Sequence, residues 1–174
     1  MTRRRAIAAG FIPHYLSYPL NDLSGAVLAA REAARKLGNR YPGRVYAYGT
    51  SAGGTLAALL ASDGLVSAAV AKAPISDLVG WEWPLTAYGS EYYEQIGATL
   101  ADRYRLSPLR RPARRPLLIL HGRGDRVVPV GMSRQYAVKF KRVRLWVVQG
   151  GHHTERTRPV LLRRAFDWLA HLAR

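Results

Sequence analysis

Gly49-Thr50-Ser51-Ala52-Gly53-Gly54 stands between an apolar run, Arg44-Val45-Tyr46-Ala47-Tyr48, and a run of good helix formers, Thr55-Leu56-Ala57-Ala58-Leu59-Leu60-Ala61. The first run reads as a short buried strand and the second as a helix. A Gly-x-Ser-x-Gly between strand and helix is the pattern of a turn so sharp that the serine is held at its tip with the hydroxyl exposed. On this reading the glycines at 49 and 53 are required, because a side chain at either position would crowd the strand against the helix. The pattern alone is weak, and it is the strand before and the helix after that give it meaning.

The chain has 174 residues, the size of one domain, and enough to bury a core without covalent staples. It contains no cysteine, which excludes disulfides, thiolate metal sites and a cysteine nucleophile. His152 and His153 are adjacent while His14, His121 and His171 stand alone, a spacing that offers no metal site. The 27 Lys and Arg against 11 Asp and Glu give a net charge of +16, which raises nucleic acid or an anionic surface as a partner. The arginines are spread along the chain, densest at Arg3–Arg5 and Arg110–Arg115, and no nucleic-acid-binding module is recognisable. A solvated basic surface is therefore expected, with no nucleic acid, metal or membrane partner. No apolar run reaches the roughly 18 residues that span a bilayer. Arg3-Arg4-Arg5 before Ala6–Ile12 imitates a secretory leader, but Pro13 and His14 cut it short. The expectation is a cytoplasmic protein, with secretion the alternative.

Outward from the elbow, residues 2–9 read as the end of a helix and residues 10–16 as a strand, with Pro13 marking an edge or bulge. Asn21 or Asp22 is placed to cap an amphipathic helix over 22–37, in which Leu23, Ala26, Val27, Ala30, Ala34 and Leu37 recur at helical spacing and Gly38 ends it. Further strands are expected over 67–72, 116–121 and 143–148, with a helix over 131–140 between the last two. In the closing helix Leu162, Ala165, Phe166, Leu169 and Leu172 face one way. Short apolar strands alternating with helices argue one α/β domain over 1–174, a mostly parallel sheet with helices on both faces and a site at the strand C-terminal ends. Residues 76–108 differ in character, with Trp81, Trp83, Tyr88, Tyr92 and Tyr93 among glycines and prolines. They read as a lid-like insertion, and Trp81, Trp83 and Tyr88 are candidates to line a substrate pocket, against the plainer reading of surface helix and loops.

A serine hydroxyl needs a histidine base, itself oriented by a carboxylate, and both must come from strand ends on the serine's rim. Two loops qualify. His121-Gly122-Arg123-Gly124-Asp125-Arg126-Val127-Val128-Pro129 offers Asp125, and Gly150-Gly151-His152-His153 offers His152, with His153 beside it. Asp77 is a rival carboxylate after the preceding strand, and His121 reads as structural.

At these residues the chain resembles the α/β-hydrolase-fold serine hydrolases, nearest the prolyl oligopeptidase-like and related esterase branch. The Gly-x-Ser-x-Gly-Gly elbow, Ser107-Pro108-Leu109, the His-Gly-x-x-Asp-x-x-Val-Pro loop and the Gly-His loop carry the likeness, and the order Ser, Asp, His is that of the group. The resemblance implies Ser51 as nucleophile, Asp125 as orienting acid, the backbone N–H of Ala52 as an oxyanion donor and no cofactor. The Gly-His spacing of the family selects His152 over His153 as base. Family members carry earlier strands and a loop supplying a second oxyanion donor, for which Met1 begins too late, so an N-terminally truncated hydrolase is expected. A strand would then be missing between the residue 10–16 strand and the elbow strand, unless those two pair directly. With no propeller domain among these 174 residues, a small ester or amide is the expected substrate. The alternatives are a catalytically impaired remnant that binds, and a basic nucleic-acid-binding protein.

Overall fold

In the computed structural model, which describes residues 2–81, 94–151, 153 and 159–173, the strands are short and the sheet is parallel throughout. The strands are β1 (Tyr46–Thr50), β2 (Ala68–Lys72), β3 (Leu117–Gly122) and β4 (Val143–Val148), hydrogen-bonded in the order β1-β2-β3-β4. Register runs Tyr46 to Ala68, Val70 to Leu118 and Leu118 to Arg144. Helices α1 (Thr2–Ala8), α2 (Leu23–Arg40), α3 (Ala52–Asp63), α4 (Leu100–Leu106), α5 (Val130–Lys139) and α6 (Pro159–Leu172) surround it.

Alternation along the strands sorts the core onto two faces. Ala69, Ala71, Leu117, Ile119 and Val143 join α2, α3 and Tyr136 of α5 on one. Ala68, Val70, Leu118 and Leu120 join Ala6 of α1 and Leu162, Ala165, Phe166 and Leu169 of α6 on the other. A parallel sheet covered on both faces explains why β2 and β3 read as unbroken apolar runs rather than as alternating ones. Burial of α3 is nearly complete from Gly54 to Ser62, so this helix is a core element rather than an amphipathic one. Leu172, expected on the inner face of the last helix, is 42% exposed.

Two further expectations are corrected. Residues 10–16 form no strand, so neither direct pairing with the elbow strand nor a one-strand gap describes this end of the sheet. Gly10 has φ +87°, Pro13 lacks the N–H a ladder needs, and Phe11 N–H bonds back to Ala6 O at 2.9 Å. Phe11 then packs against Tyr46 and Phe166, whereas Tyr18 packs into the core of the opposite face, so the segment passes from one face of the sheet to the other. The second correction concerns α2, which continues through Gly38 to Arg40. Asp22 does cap it, accepting from Gly25 N–H at 2.8 Å. One glycine in a helix already anchored by Ala26, Val27, Ala30 and Ala34 costs only about 1 kcal/mol relative to alanine, too little to end it. Asp63 at the end of α3 ties that helix to Arg31 of α2 and to Arg111.

The expected lid-like segment is described only at its flanks, since 82–93, including Trp83 and Tyr88, lie outside the described residues. Those flanks are sewn together. Ser107 Oγ accepts from Leu78 N–H at 2.8 Å and donates to Arg103 O at 2.7 Å, and Leu109 N–H donates to Ser76 O at 2.7 Å.

Candidate active site

The elbow forms as its sequence requires. Ser51, between β1 and α3, has φ 55° and ψ −120°, a conformation costing a non-glycine residue on the order of 1–3 kcal/mol. Neighbours hold it there. Ser51 N–H donates to Lys72 O at 2.9 Å, Thr55 N–H donates to Ser51 O at 2.9 Å, and Thr55 Oγ1 accepts from Ile75 N–H at 3.0 Å. The serine is thus clamped to the chain leaving β2 from both sides of the turn.

The glycines divide differently from expectation. A Cβ on Gly49 would stand 2.0 Å from Gly53 O, and one on Gly54 would stand 2.8 Å from Lys72 O. A Cβ on Gly53 would meet only the Tyr18 hydroxyl, at 3.5 Å, an ordinary contact. Gly49 and Gly54 are therefore the sterically required pair, because they face backbone, while Gly53 faces a side chain.

Gly122 at the end of β3 is packed against Gly151 beyond β4 so closely that a Cβ on Gly122 would lie 2.1 Å from Gly151 O. Gly151 O accepts from Gly124 N–H at 3.0 Å, and Arg123 N–H donates to Val148 O at 2.8 Å. These contacts bind the acid loop and the base loop into one unit. With Gly151 anchored this way, and the chain turned at Gly150 (φ +67°), the imidazole two residues beyond Gly151 reaches both partners. His153 Nδ1 lies 2.9 Å from Asp125 Oδ2, and His153 Nε2 lies 2.9 Å from Ser51 Oγ.

The histidine joined to Ser51 and Asp125 is His153, while His152, the expected base, lies outside the described residues. Its Nδ1–H donates to the carboxylate, which leaves Nε2 to accept from the serine hydroxyl. The His153 side chain is 13% exposed and that of Asp125 only 1%. Asp125 Oδ1 accepts from Val127 N–H and Val128 N–H, both at 2.9 Å. Oδ2 takes His153 and, at 3.4 Å, His121 Nε2. Burial works most strongly on this carboxyl, opposing its ionisation. The approach of His121 and the hydrogen bonds from His153 and Val128 together outweigh burial and hold the group well below the usual carboxylate range.

A carboxyl whose pKa falls on folding stabilises the fold above its unfolded value, near 3.9, and that contribution is lost as pH drops further. The urea midpoint of the wild type is expected to fall between about pH 4 and pH 2 more steeply than that of Asp125→Asn. Parallel curves for the two proteins would show that Asp125 contributes nothing to the acid limb.

Trp81 is corrected as a pocket residue. It is 1% exposed, and its indole N–H donates to Val127 O at 2.9 Å, so it belongs to the core beneath the acid loop. Asp77 accepts from Val79 N–H at 3.1 Å and lies 3.9 Å from Arg110, contacts that give it a turn-stabilising role. Ala52 is the first residue of α3, where backbone N–H groups have no partner within the helix and face an incoming anion. The strained serine, the imidazole and the buried carboxylate form one hydrogen-bonded line, and a helix N-terminus stands at the nucleophile. Such an arrangement can raise the nucleophilicity of a hydroxyl and bind a developing oxyanion.

Residues 18–174 match the Prolyl oligopeptidase family. The chain belongs to the prolyl oligopeptidase family. It is an α/β-hydrolase-fold serine hydrolase, and solved structures of similar fold are hydrolases. This family member is similar to an acetyl ester-xyloside bifunctional hydrolase from Caldicellulosiruptor lactoaceticus at 19% identity and TM-score 0.76, covering 97% of this chain and 74% of that one. A puromycin hydrolase is 26% identical with TM-score 0.70, over 86% of this chain and 25% of that one. A thermophilic esterase from the Planctomycetes species Thermogutta terrifontis is 23% identical with TM-score 0.64, over 87% of this chain and 62% of that one. The family domain thus spans about a quarter of the puromycin hydrolase and under two thirds of the esterase. No curated protein matches the chain.

Proposed function

We propose that this protein cleaves small esters or amides through an acyl-enzyme on Ser51. The observation that carries the reading is the unbroken line Asp125–His153–Ser51, each link at 2.9 Å. Ser51 Oγ attacks the substrate carbonyl carbon as His153 Nε2 removes the hydroxyl proton. The carbonyl π electrons move to oxygen, and the Ala52 N–H donates to that oxyanion. Collapse of the tetrahedral adduct expels the alkoxide or amine, which takes the proton from His153 and leaves Ser51 acylated. Water, deprotonated by His153, then releases the acid and restores the serine. Asp125 holds the imidazole in the required tautomer and stabilises its charged form, keeping its own negative charge throughout. Hydrolases of an acetyl ester and of puromycin among the similar structures support an ester or amide as the bond cleaved.

Hydrolysis of p-nitrophenyl acetate tests the proposal. Wild-type turnover is expected to exceed that of Ser51→Ala by several orders of magnitude. Equal rates for the two proteins would contradict the proposal and favour the reading of a binding protein on a hydrolase fold.

A further inference from the structure

An orienting carboxylate must be held by something other than the histidine it orients. At Asp125 the two oxygens are held differently. Oδ1 is pinned by two loop amides, Val127 N–H and Val128 N–H. Oδ2 faces His153, and besides that partner it is approached by His121 Nε2 at 3.4 Å. Anchored at Oδ1 alone, the carboxylate retains a swing of Oδ2 about that anchor. His121 Nε2 is the second group set against Oδ2, beside His153.

His121 is itself locked. It lies in β3, paired with Val147 of β4, and is 1% exposed. Its Nε2 lies 2.8 Å from Val128 O and its Nδ1 lies 2.7 Å from Ser133 Oγ of α5, a residue with no exposed surface. Both neighbours of Nε2, a carbonyl and a carboxylate, only accept, so Nε2 must carry a hydrogen. In the neutral ring Nδ1 is then the acceptor, and the Ser133 hydroxyl donates to it. One buried imidazole thus joins the acid strand, the far end of the acid loop, helix α5 and the catalytic carboxylate. None of the hydrolytic steps uses it.

We propose that His121, its tautomer fixed by the two acceptors at Nε2 and its ring held at Nδ1 by Ser133, is a positioning residue that aims Asp125 Oδ2 at His153. The inference rests on the Ser51–His153–Asp125 reading above and adds to it a second, buried histidine. A histidine that merely stapled the loop would affect folding but not the His153–Asp125 hydrogen bond in the folded protein.

The test compares wild type, His121→Phe, His121→Gln and Ser133→Ala, each checked for folding by near-UV circular dichroism. Three quantities are read: kcat and KM on p-nitrophenyl acetate, the acid limb of kcat/KM, and the downfield proton of the His153–Asp125 hydrogen bond by NMR. His121→Phe keeps a ring and removes the donor. It is expected to lower kcat about tenfold to a hundredfold, the loss seen when a partner that orients a metal-ligating side chain is removed. KM is expected to stay unchanged, and the downfield proton to weaken or disappear. The acid limb should move to lower pH, because a carboxylate free to swing stabilises the His153 imidazolium less. His121→Gln, which retains an N–H, should recover most of the loss. A folded His121→Phe with wild-type kcat, acid limb and downfield proton would overturn the proposal. Should His121→Phe not fold, Ser133→Ala decides. It keeps the imidazole and its Nε2 partners but removes the hydrogen bond that holds Nδ1, and an unchanged proton and acid limb there would overturn the proposal equally. A wild type that shows the downfield proton without turnover would sink the hydrolase reading, while the role of His121 is still read from that proton.

Discussion

Alanine at position 153 is expected to lower the turnover of an activated ester by on the order of 10⁶-fold, whereas alanine at position 152 should leave it within a few-fold of wild type. The asymmetry follows from geometry. The imidazole of His153 makes both hydrogen bonds that the chemistry needs, to Ser51 Oγ and to Asp125 Oδ2. Removing it takes away the proton acceptor and isolates the carboxylate from the serine, so the nucleophile reverts to an ordinary hydroxyl. A serine without its base loses about as much as the absence of the whole triad, because the three side chains act as a unit. The comparison is sharp because the residues are neighbours: a general disturbance of the loop after β4 would depress both variants alike. If His152→Ala lost activity and His153→Ala kept it, the site would have to be rebuilt around the other imidazole.

The second large effect is on the elbow itself. Gly49→Ala is expected to destabilise the fold by about 3 kcal/mol, at the upper end of overpacking costs, and to abolish activity. The added methyl would sit 2.0 Å from Gly53 O and 2.2 Å from Gly53 C, and both are backbone atoms that move only if β1 and α3 part. For a chain of this size that cost lowers the melting temperature by roughly 10 °C. Gly53→Ala is the control. Its methyl meets only the Tyr18 hydroxyl, at 3.5 Å, so the melting temperature should be nearly unchanged. Equal melting temperatures for Gly49→Ala and wild type would mean that strand and helix are not in contact at the turn.

These two predictions mark how far the sequence carries. The elbow was legible because its chemistry is local: a strand, a strained serine and a helix follow one another along the chain, and Gly49 and Gly54 are imposed by contacts a few residues apart or with the adjacent strand. The loops bearing Asp125 and the base were legible because apolar strands end where those loops begin, and a parallel sheet brings those ends to one rim. The choice between His152 and His153 was not. It depends on Gly151 being held against Gly122 and Gly124, contacts across two loops that no spacing along the chain expresses. Trp81 misled for a related reason. An aromatic residue near a glycine-rich loop reads equally as pocket wall or as core, and its burial under Val127 is a tertiary fact. Residues 10–16 have the composition of a strand, but Pro13 and the positive φ of Gly10 steer them across the edge of the sheet instead of along it.

The central claim is that Ser51 is an activated nucleophile served by His153, and covalent labelling measures this most directly. The wild-type protein is treated with a fluorophosphonate, digested, and the adduct located by mass spectrometry. The account predicts a single adduct on Ser51 in wild type and in His152→Ala, and none in Ser51→Ala or His153→Ala under the same conditions. Labelling of His153→Ala as fast as wild type, or an unlabelled Ser51 in folded wild-type protein beside a labelled control hydrolase, would contradict it.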